Sequence, residues 1–451
     1  MKTTRTEKTT RSAPTLRRVF PLATALTLCV ALAMPVMGQT TTATETREGQ
    51  PTTTAVLPEG APTQVEDRRA MDDRQEAAAR PGNQVLDPKF VGFFPVPNTP
   101  VIIKLNPKPH VDVTFDNRNT GDRFRFVPAK FPIKGTTEYG GGTQSFVNAN
   151  ASQIRLDIRA PSLEGGLRFY YQNDFFGSDT SDMKYRLQHL YGQFYGVIAG
   201  FTYGVFEDPD AWPDTVDYEG TNAVIFSRRS VVQYKTAIGK NWNATFGIEK
   251  PDIYLDNSFD TTAQLTTKIP DIGANVRWES NGSHVQISGI VRSVGAKGAV
   301  VGKQDKGAWG FNVGSSLKLD GSNYAIFYFN YGDGIGGMGN DTSFVNSDAA
   351  FNSAGTLETL KYFSGMGAFT HNWCPTWRST VTYGYVKLDN ASGQPDTAYH
   401  KTQYASANVI WQLRKRLSVG AEGLWGDKQI KVGDKGDAWR LQLGLVYSVF
   451  D

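Results

Sequence analysis

"AWRLQLGLVYSVFD", Ala438 to Asp451, decides the fold. Trp439, Leu441, Leu443, Leu445, Tyr447 and Val449 share one face of an extended chain, and Arg440, Gln442, Gly444 and Ser448 share the other. A period of two belongs to a β-strand, whose successive side chains point to opposite sides. One face asks for apolar surroundings and the other for polar ones. Upstream, "ASQIRLDIRAP" sets Ile154, Leu156 and Ile158 against Arg155, Asp157 and Arg159. "NWNATFGIEKP" and "GANVRWES" repeat the pattern, the second with Ala274, Val276 and Trp278 opposite Asn275, Arg277 and Glu279.

Counting such segments gives about 16 strands, starting near residues 101, 151, 165, 183, 195, 226, 241, 271, 283, 307, 321, 356, 375, 399, 416 and 437. "APSLEGG", "GQFYG", "IGKN", "SNGS", "LDGSN", "HNWCPT" and "LRKR" are short turns between them. They alternate with mostly longer connections, such as "DIYLDNSFDTTAQLTTKIP". Tight turns at one end and long loops at the other are the signature of a transmembrane antiparallel β-barrel. A soluble sandwich or propeller also alternates, but it rarely tolerates arginines opposite the apolar face in strand after strand. Trp278, Trp309, Trp411, Trp425, Trp439 and Tyr447 recur near strand ends, where a barrel needs interface girdles.

Composition agrees. The 46 glycines and 12% aromatic content suit a β protein with many turns. A net charge of +3 over 451 residues gives no basic stripe for a nucleic-acid partner. Residues 1–38 read as a cleaved signal peptide, with a basic start, the apolar run "FPLATALTLCVALAMPVM" and the small Gly38. Residues 39–89 are too rich in Thr, Pro, Glu and Arg to bury a core, and are expected to form a disordered periplasmic extension. The barrel is assigned to 90–451. Of the two cysteines, Cys29 leaves with the signal, and Cys374 remains alone without a disulfide partner.

One stretch breaks the alternation. "GFTYGVFEDPDAWPDTVDYEGTNAVIFSRRSVVQYK", Gly200 to Lys235, places Glu207, Asp208, Asp210, Asp214, Asp217 and Glu219 around Trp212, between two apolar-faced strands. On this count it connects strands 5 and 6. In 16-stranded porins that loop folds into the lumen and narrows it.

The blocks "SQIRLDIRAPSLEGGLRFYYQNDFFG", "YRLQHLYGQF", "VIAGFTYGVFEDPDAWPDTVDYEG" and "RRSVVQYK" resemble successive blocks of the DcaP-like outer-membrane porins, in order and spacing, across about residues 90 to 251. The resemblance implies a homotrimeric 16-stranded porin, set in outer-membrane lipid and lipopolysaccharide, that admits small anionic solutes, dicarboxylates among them. A phosphate-type or unselective diffusion porin is the alternative. Members often carry a coiled coil before the barrel, and residues 39–89 depart from that pattern.

Alternation points Arg155, Arg168, Lys184, Arg186, Arg229, Lys235, Arg277 and Arg440 inward. Wall cations opposite loop carboxylates would set a transverse field across the narrow zone. An anion could exchange the loop carboxylates for its own charge.

The rival chemistries are weaker. His110, His189, His284, His371 and His400 sit in separate segments with no nucleophile motif, which argues against an outer-membrane enzyme. "GGMGND", Gly336 to Asp341, opens like a calcium-binding nonapeptide, but that motif works only in stacked repeats, and a flexible outer loop is expected. An adhesin would not need opposed lumen charges. No cofactor or metal is called for.

Overall fold

In a computed structural model, the structure describes residue 90 and residues 92–178, 182–320 and 323–449. The signal segment and almost all of the polar extension lie outside the described residues. No described helix is long and apolar enough to cross a membrane.

The described chain is all-β, with 20 strands in one large sheet and 3 in a small one. In the large sheet every pairing is antiparallel. This makes 23 strand segments, against the roughly sixteen expected from the sequence. Five of the extra segments are pieces of two or three residues within connections. The other two arise where a longer run is interrupted. Pro109, which has no N–H to give a ladder, separates Ile102–Lys108 from His110–Asp116. A turn at Ala149–Ser152 separates Gln144–Asn148 from Gln153–Ala160.

Neighbouring long strands in the chain pair with one another, through short turns and longer connections in alternation, from Gln153–Ala160 onward to Lys435–Tyr447. That last strand also pairs with His110–Asp116, and Ile102–Lys108 pairs with Gln153–Ala160.

The faces are inverted relative to a water-soluble sheet. On Lys435–Tyr447 the buried residues are Gly436, Ala438, Arg440, Gln442 and Gly444, while Trp439, Leu441, Leu443, Leu445 and Tyr447 are each 41–51% exposed. The same inversion exposes Phe246, Ile248, Ile272, Val276, Ile287, Val291, Val381 and Tyr383. Apolar area left in water costs roughly 25 cal/mol per Å². A face this continuous therefore belongs against lipid hydrocarbon. Trp377 and Trp411, opposite each other in register, stack at 5.0 Å on that face beside a short turn.

The interior is largely occupied. Three connections fold against the sheet's buried face: the segment around Val127 and Ala129, the acidic loop from Gly204 to Ser227, and the segment from Gly334 to Leu360. Phe206, Trp212, Val224, Ile225, Ile335 and Met338 join wall residues Ile290, Tyr328 and Tyr362 in one apolar core. "GGMGND" is part of this packing and not a flexible outer loop. Asp341 accepts from the Ala129 N–H (2.8 Å) and the Thr402 hydroxyl (2.6 Å). Asn340 donates to the carbonyls of Glu219 (3.0 Å) and Thr221 (2.9 Å).

Candidate permeation site

The acidic loop leaves the strand Val197–Tyr203 and returns in Arg228–Gly239. Pro209 opens a short 3-10 turn over Pro209–Ala211. The Glu207 carboxylate closes the base of the loop, accepting from the Gly204 N–H (2.8 Å) and the Ser227 N–H (2.9 Å). Burial pushes this carboxyl up to about 8, although both amides favour its charged form.

The other acidic residues tie the loop to distant strands. Asp208 and Asp210 accept from Arg277 at 3.0 and 2.6 Å, and the second oxygen of Asp208 meets His284 at 2.9 Å. Burial alone would raise Asp208, but its contacts with His284 and the Arg277 guanidinium outweigh it and hold its carboxyl below the usual range. Asp214 accepts from Arg378 at 2.5 Å. The N–H groups of Val216 and Asp217 both donate to Glu422, at 2.7 Å each. Asp217 itself caps the Gly220 N–H at 3.1 Å, and burial holds its carboxyl well above the ordinary range. Glu219, also raised by burial, lies 3.7 Å from Arg125. Trp212 packs against Tyr203 and Phe226 at 5.6 and 5.0 Å between ring centroids.

Glycines make this docking possible. A Cβ on Gly273 would lie 2.3 Å from a Val205 methyl, and one on Gly444 would lie 2.7 Å from a Val216 methyl. The wall is shaved where the loop lies on it.

The wall arginines do not act as one group. Arg168 and Arg159 share Asp157, at 3.1 and 2.9 Å. Arg440 holds Asp116 at 2.6 Å, Arg186 holds Asp174 at 2.6 Å, and Arg229 holds Asp271 at 2.9 Å. Arg168, Arg229 and Arg440 are each 1% exposed, so they are structural ion pairs and not open lining. Lys184 is exposed in the connection before Arg186–Phe194, and Lys235 is half-buried next to a turn. Arg277 meets the loop carboxylates Asp208 and Asp210.

Among the described residues, two cavities border the docked loop. One is lined by Lys108, His110, Arg378, Lys415 and Arg416, with Asp214 to Val216 of the loop. The other is lined by Lys108, His110, Arg155, Arg186 and Arg228, with Trp212, Tyr218 and Glu219. Arg228 lies over the Phe226 ring at 4.4 Å and the Tyr203 ring at 5.3 Å. The Tyr218 ring stacks on Phe176 at 5.1 Å, and its hydroxyl is hydrogen-bonded by Gln153 (2.8 Å) and Gln188. Sequence reasoning missed Lys108, Arg228, Arg378, Lys415 and Arg416. Lys108 was legible, since it shares a face with Lys104 and Asn106 on the first long strand. Arg378 was legible by the same parity, with Thr380 and Thr382. Lys415 and Arg416 lie in a short turn, where parity assigns no face.

A large antiparallel sheet with an exposed apolar face, and with a loop docked on its polar buried face, fits an outer-membrane channel of the porin class. The chain belongs to the DcaP outer membrane protein family, whose model matches residues 102–448. Among solved structures it is similar to the outer membrane channel DcaP of Acinetobacter baumannii, at 19% identity and a TM-score of 0.69, covering 79% of this chain and 99% of that one. It also matches an anion-selective porin from Comamonas acidovorans at 11% identity and a TM-score of 0.49, covering 77% of this chain and 99% of that one. Salmonella typhi OmpF in complex with daunomycin matches at 11% identity and a TM-score of 0.49, over 78% and 99%. No curated protein matches the chain.

Proposed function

We propose that the sheet closes as a barrel of sixteen staves around a water-filled channel for passive passage of small hydrophilic anions, dicarboxylates among them. The pairing supports closure: Ile102–Lys108 and His110–Asp116 adjoin in the chain, one bonded to the second stave and the other to the last. With the two interrupted runs counted once each and the five short pieces set aside, sixteen staves result. Assembly as a homotrimer and export by the segment 1–38 rest on the family resemblance and on the pattern of the N-terminus. Embedding in outer-membrane lipid and lipopolysaccharide follows from the same reading.

The observation that carries the anion reading is the sign of the lining. The two cavities hold Lys108, Arg155, Arg228, Lys415 and Arg416, besides Arg186 and Arg378, which pair with Asp174 and Asp214, and Glu219 is the further carboxylate lining them. A unit charge about 4 Å away is worth roughly 1 kcal/mol in bulk water and about 4 at an intermediate dielectric. A few such contacts concentrate an anion without trapping it, as permeation requires. Single-channel recording across a potassium chloride gradient tests this. The reversal potential is expected to take the sign of chloride permeation, and a value at zero or of potassium sign would refute it.

A further inference from the structure

The apolar core borders one cavity at Trp212. Its wall members come from Ser283–Gly298, Tyr324–Asp333, Lys361–Cys374, Trp377–Leu388 and the start of Tyr399–Arg414, and the rest from the three inserted segments and Ala391. Among the described residues, none comes from Ile102–Asp116, Gln153–Ala160 or Lys435–Tyr447. The two cavities border those last three strands, and Arg378, Gln412 and Ser418 of neighbouring strands also line the first.

The two cavities also sit at different heights. Arg186 and Arg228 begin their strands just after long loops, so they place one cavity toward the long-loop end. Gln412, Lys415, Arg416 and Ser418 surround a short turn and place the other at the opposite end. Asp214 to Val216 face one cavity, and Tyr218 and Glu219 face the other, so the chain at Asp217 is the partition. Glu422 holds that partition through the Val216 and Asp217 N–H groups. The Val216 side chain is seated over Gly444, and the Tyr218 ring lies edge-on to His110 at 6.4 Å. Lys108 and His110 are the two residues lining both cavities.

Resting on the anion-channel reading above, we infer that solute passes two basic chambers in series, joined at Lys108 beside the Val216–Tyr218 partition, and that Lys108 is the residue that sets selectivity. Of the two, Lys108 brings an ammonium group on a half-buried stem, and the His110 ring pairs with Asp112 at 3.0 Å. Every anion that crosses must pass the Lys108 charge. Arg228 and Lys415 each line one chamber alone.

The test compares full-length trimer or monomer, as purified, in single-channel recordings across a potassium chloride gradient. Lys108→Met keeps the stem and removes the charge. It should lower the chloride-to-potassium permeability ratio about fivefold, the equivalent of roughly 1 kcal/mol for one close charge in water. Arg228→Met and Lys415→Met should each lower it less. Lys108→Trp should cut conductance severalfold by filling the junction. A Lys108→Met effect no larger than those of the single-chamber variants would overturn the assignment of Lys108. Unchanged conductance in a folded Lys108→Trp channel would overturn the series arrangement. A parent channel without anion preference would refute the anion reading instead, and the Lys108→Trp conductance would still decide the junction.

Discussion

Arg277 is where the loop is most exposed to a single change. Its guanidinium reaches Asp208 at 3.0 Å and Asp210 at 2.6 Å, and it also donates to Glu279. The two loop carboxylates are almost fully buried, and one Asp210 oxygen has no hydrogen-bond partner. Arg277→Met keeps the length of the side chain but leaves both carboxylates in a poorly solvated site with only His284 nearby. Removing one partner of a buried ion pair costs about 3–5 kcal/mol. At about 1.4 kcal/mol per tenfold, that lowers the docked-to-undocked ratio of this part of the loop by roughly two to three powers of ten. The remaining anchors at Arg378 and Glu422 lie further along the loop and should hold its second half. Single-channel conductance and open-channel noise should therefore both rise, while the barrel still forms. Adding Asp208→Asn and Asp210→Asn in the same chain removes the stranded charges and should restore the parent conductance. If Arg277→Met conducts like the parent, with the same noise and the same melting temperature, this ion triad does not hold the loop.

Glu207 should leave a signature in pH. Its folded-state carboxyl is pushed up by burial to about 8 from an ordinary value of 4.5, so its contribution to stability is complete below about 4.5 and is lost as pH rises through about 8. The melting temperature should fall across that window, and Glu207→Gln should fall less steeply; equal slopes would show that Glu207 does not titrate there. Arg155 and Arg440 should separate lining from structure. Arg155→Ala should reduce anion preference in reversal-potential measurements with little change in thermal unfolding, whereas Arg440→Ala should strip Asp116 of its ion pair, cost about 3–5 kcal/mol in unfolding, and leave preference unchanged.

Strand alternation was the legible part of this chain. Starts expected near 271, 283 and 399 coincide with Asp271, Ser283 and Tyr399, and most others fall within three residues. The larger misses have local causes. The strand expected near 307 begins at Gly302, because "GKQDKG" is polar on both faces and reads as loop. The one expected near 356 begins at Lys361, because Leu357–Thr359 is a short piece of a separate sheet. What alternation could not supply was the partner of each inward charge. Asp157 sits two residues from both Arg155 and Arg159 on the same face, so a pairing with one of them was readable. That it takes Arg159 and Arg168, leaving Arg155 beside a cavity, depends on cross-strand register. The fate of Gly334–Leu360 was hidden for a different reason. Its glycines suit mobility in water equally well as close packing, and contacts such as Asp341 with Ala129 join residues more than two hundred positions apart.

The pairing pattern has a consequence for how selectivity is encoded. An inward arginine bonded bidentately to a wall carboxylate, as Arg440 is to Asp116, presents almost no net charge to a passing ion. Such pairs keep the interior polar and rigid, but they cancel in the field that a solute meets. The field is then weighted toward the cations lining the cavities, and which cations those are depends on where the docked loop lies. Three of the loop's six carboxylates meet Arg277 and Arg378, and these anchor the loop more than they oppose an anion. Two channels with the same inward arginines could thus differ in preference through the course of one loop. On the proposed anion-channel reading, selectivity follows from how the folded loop lies against the wall, and counting charges along the strands overstates it.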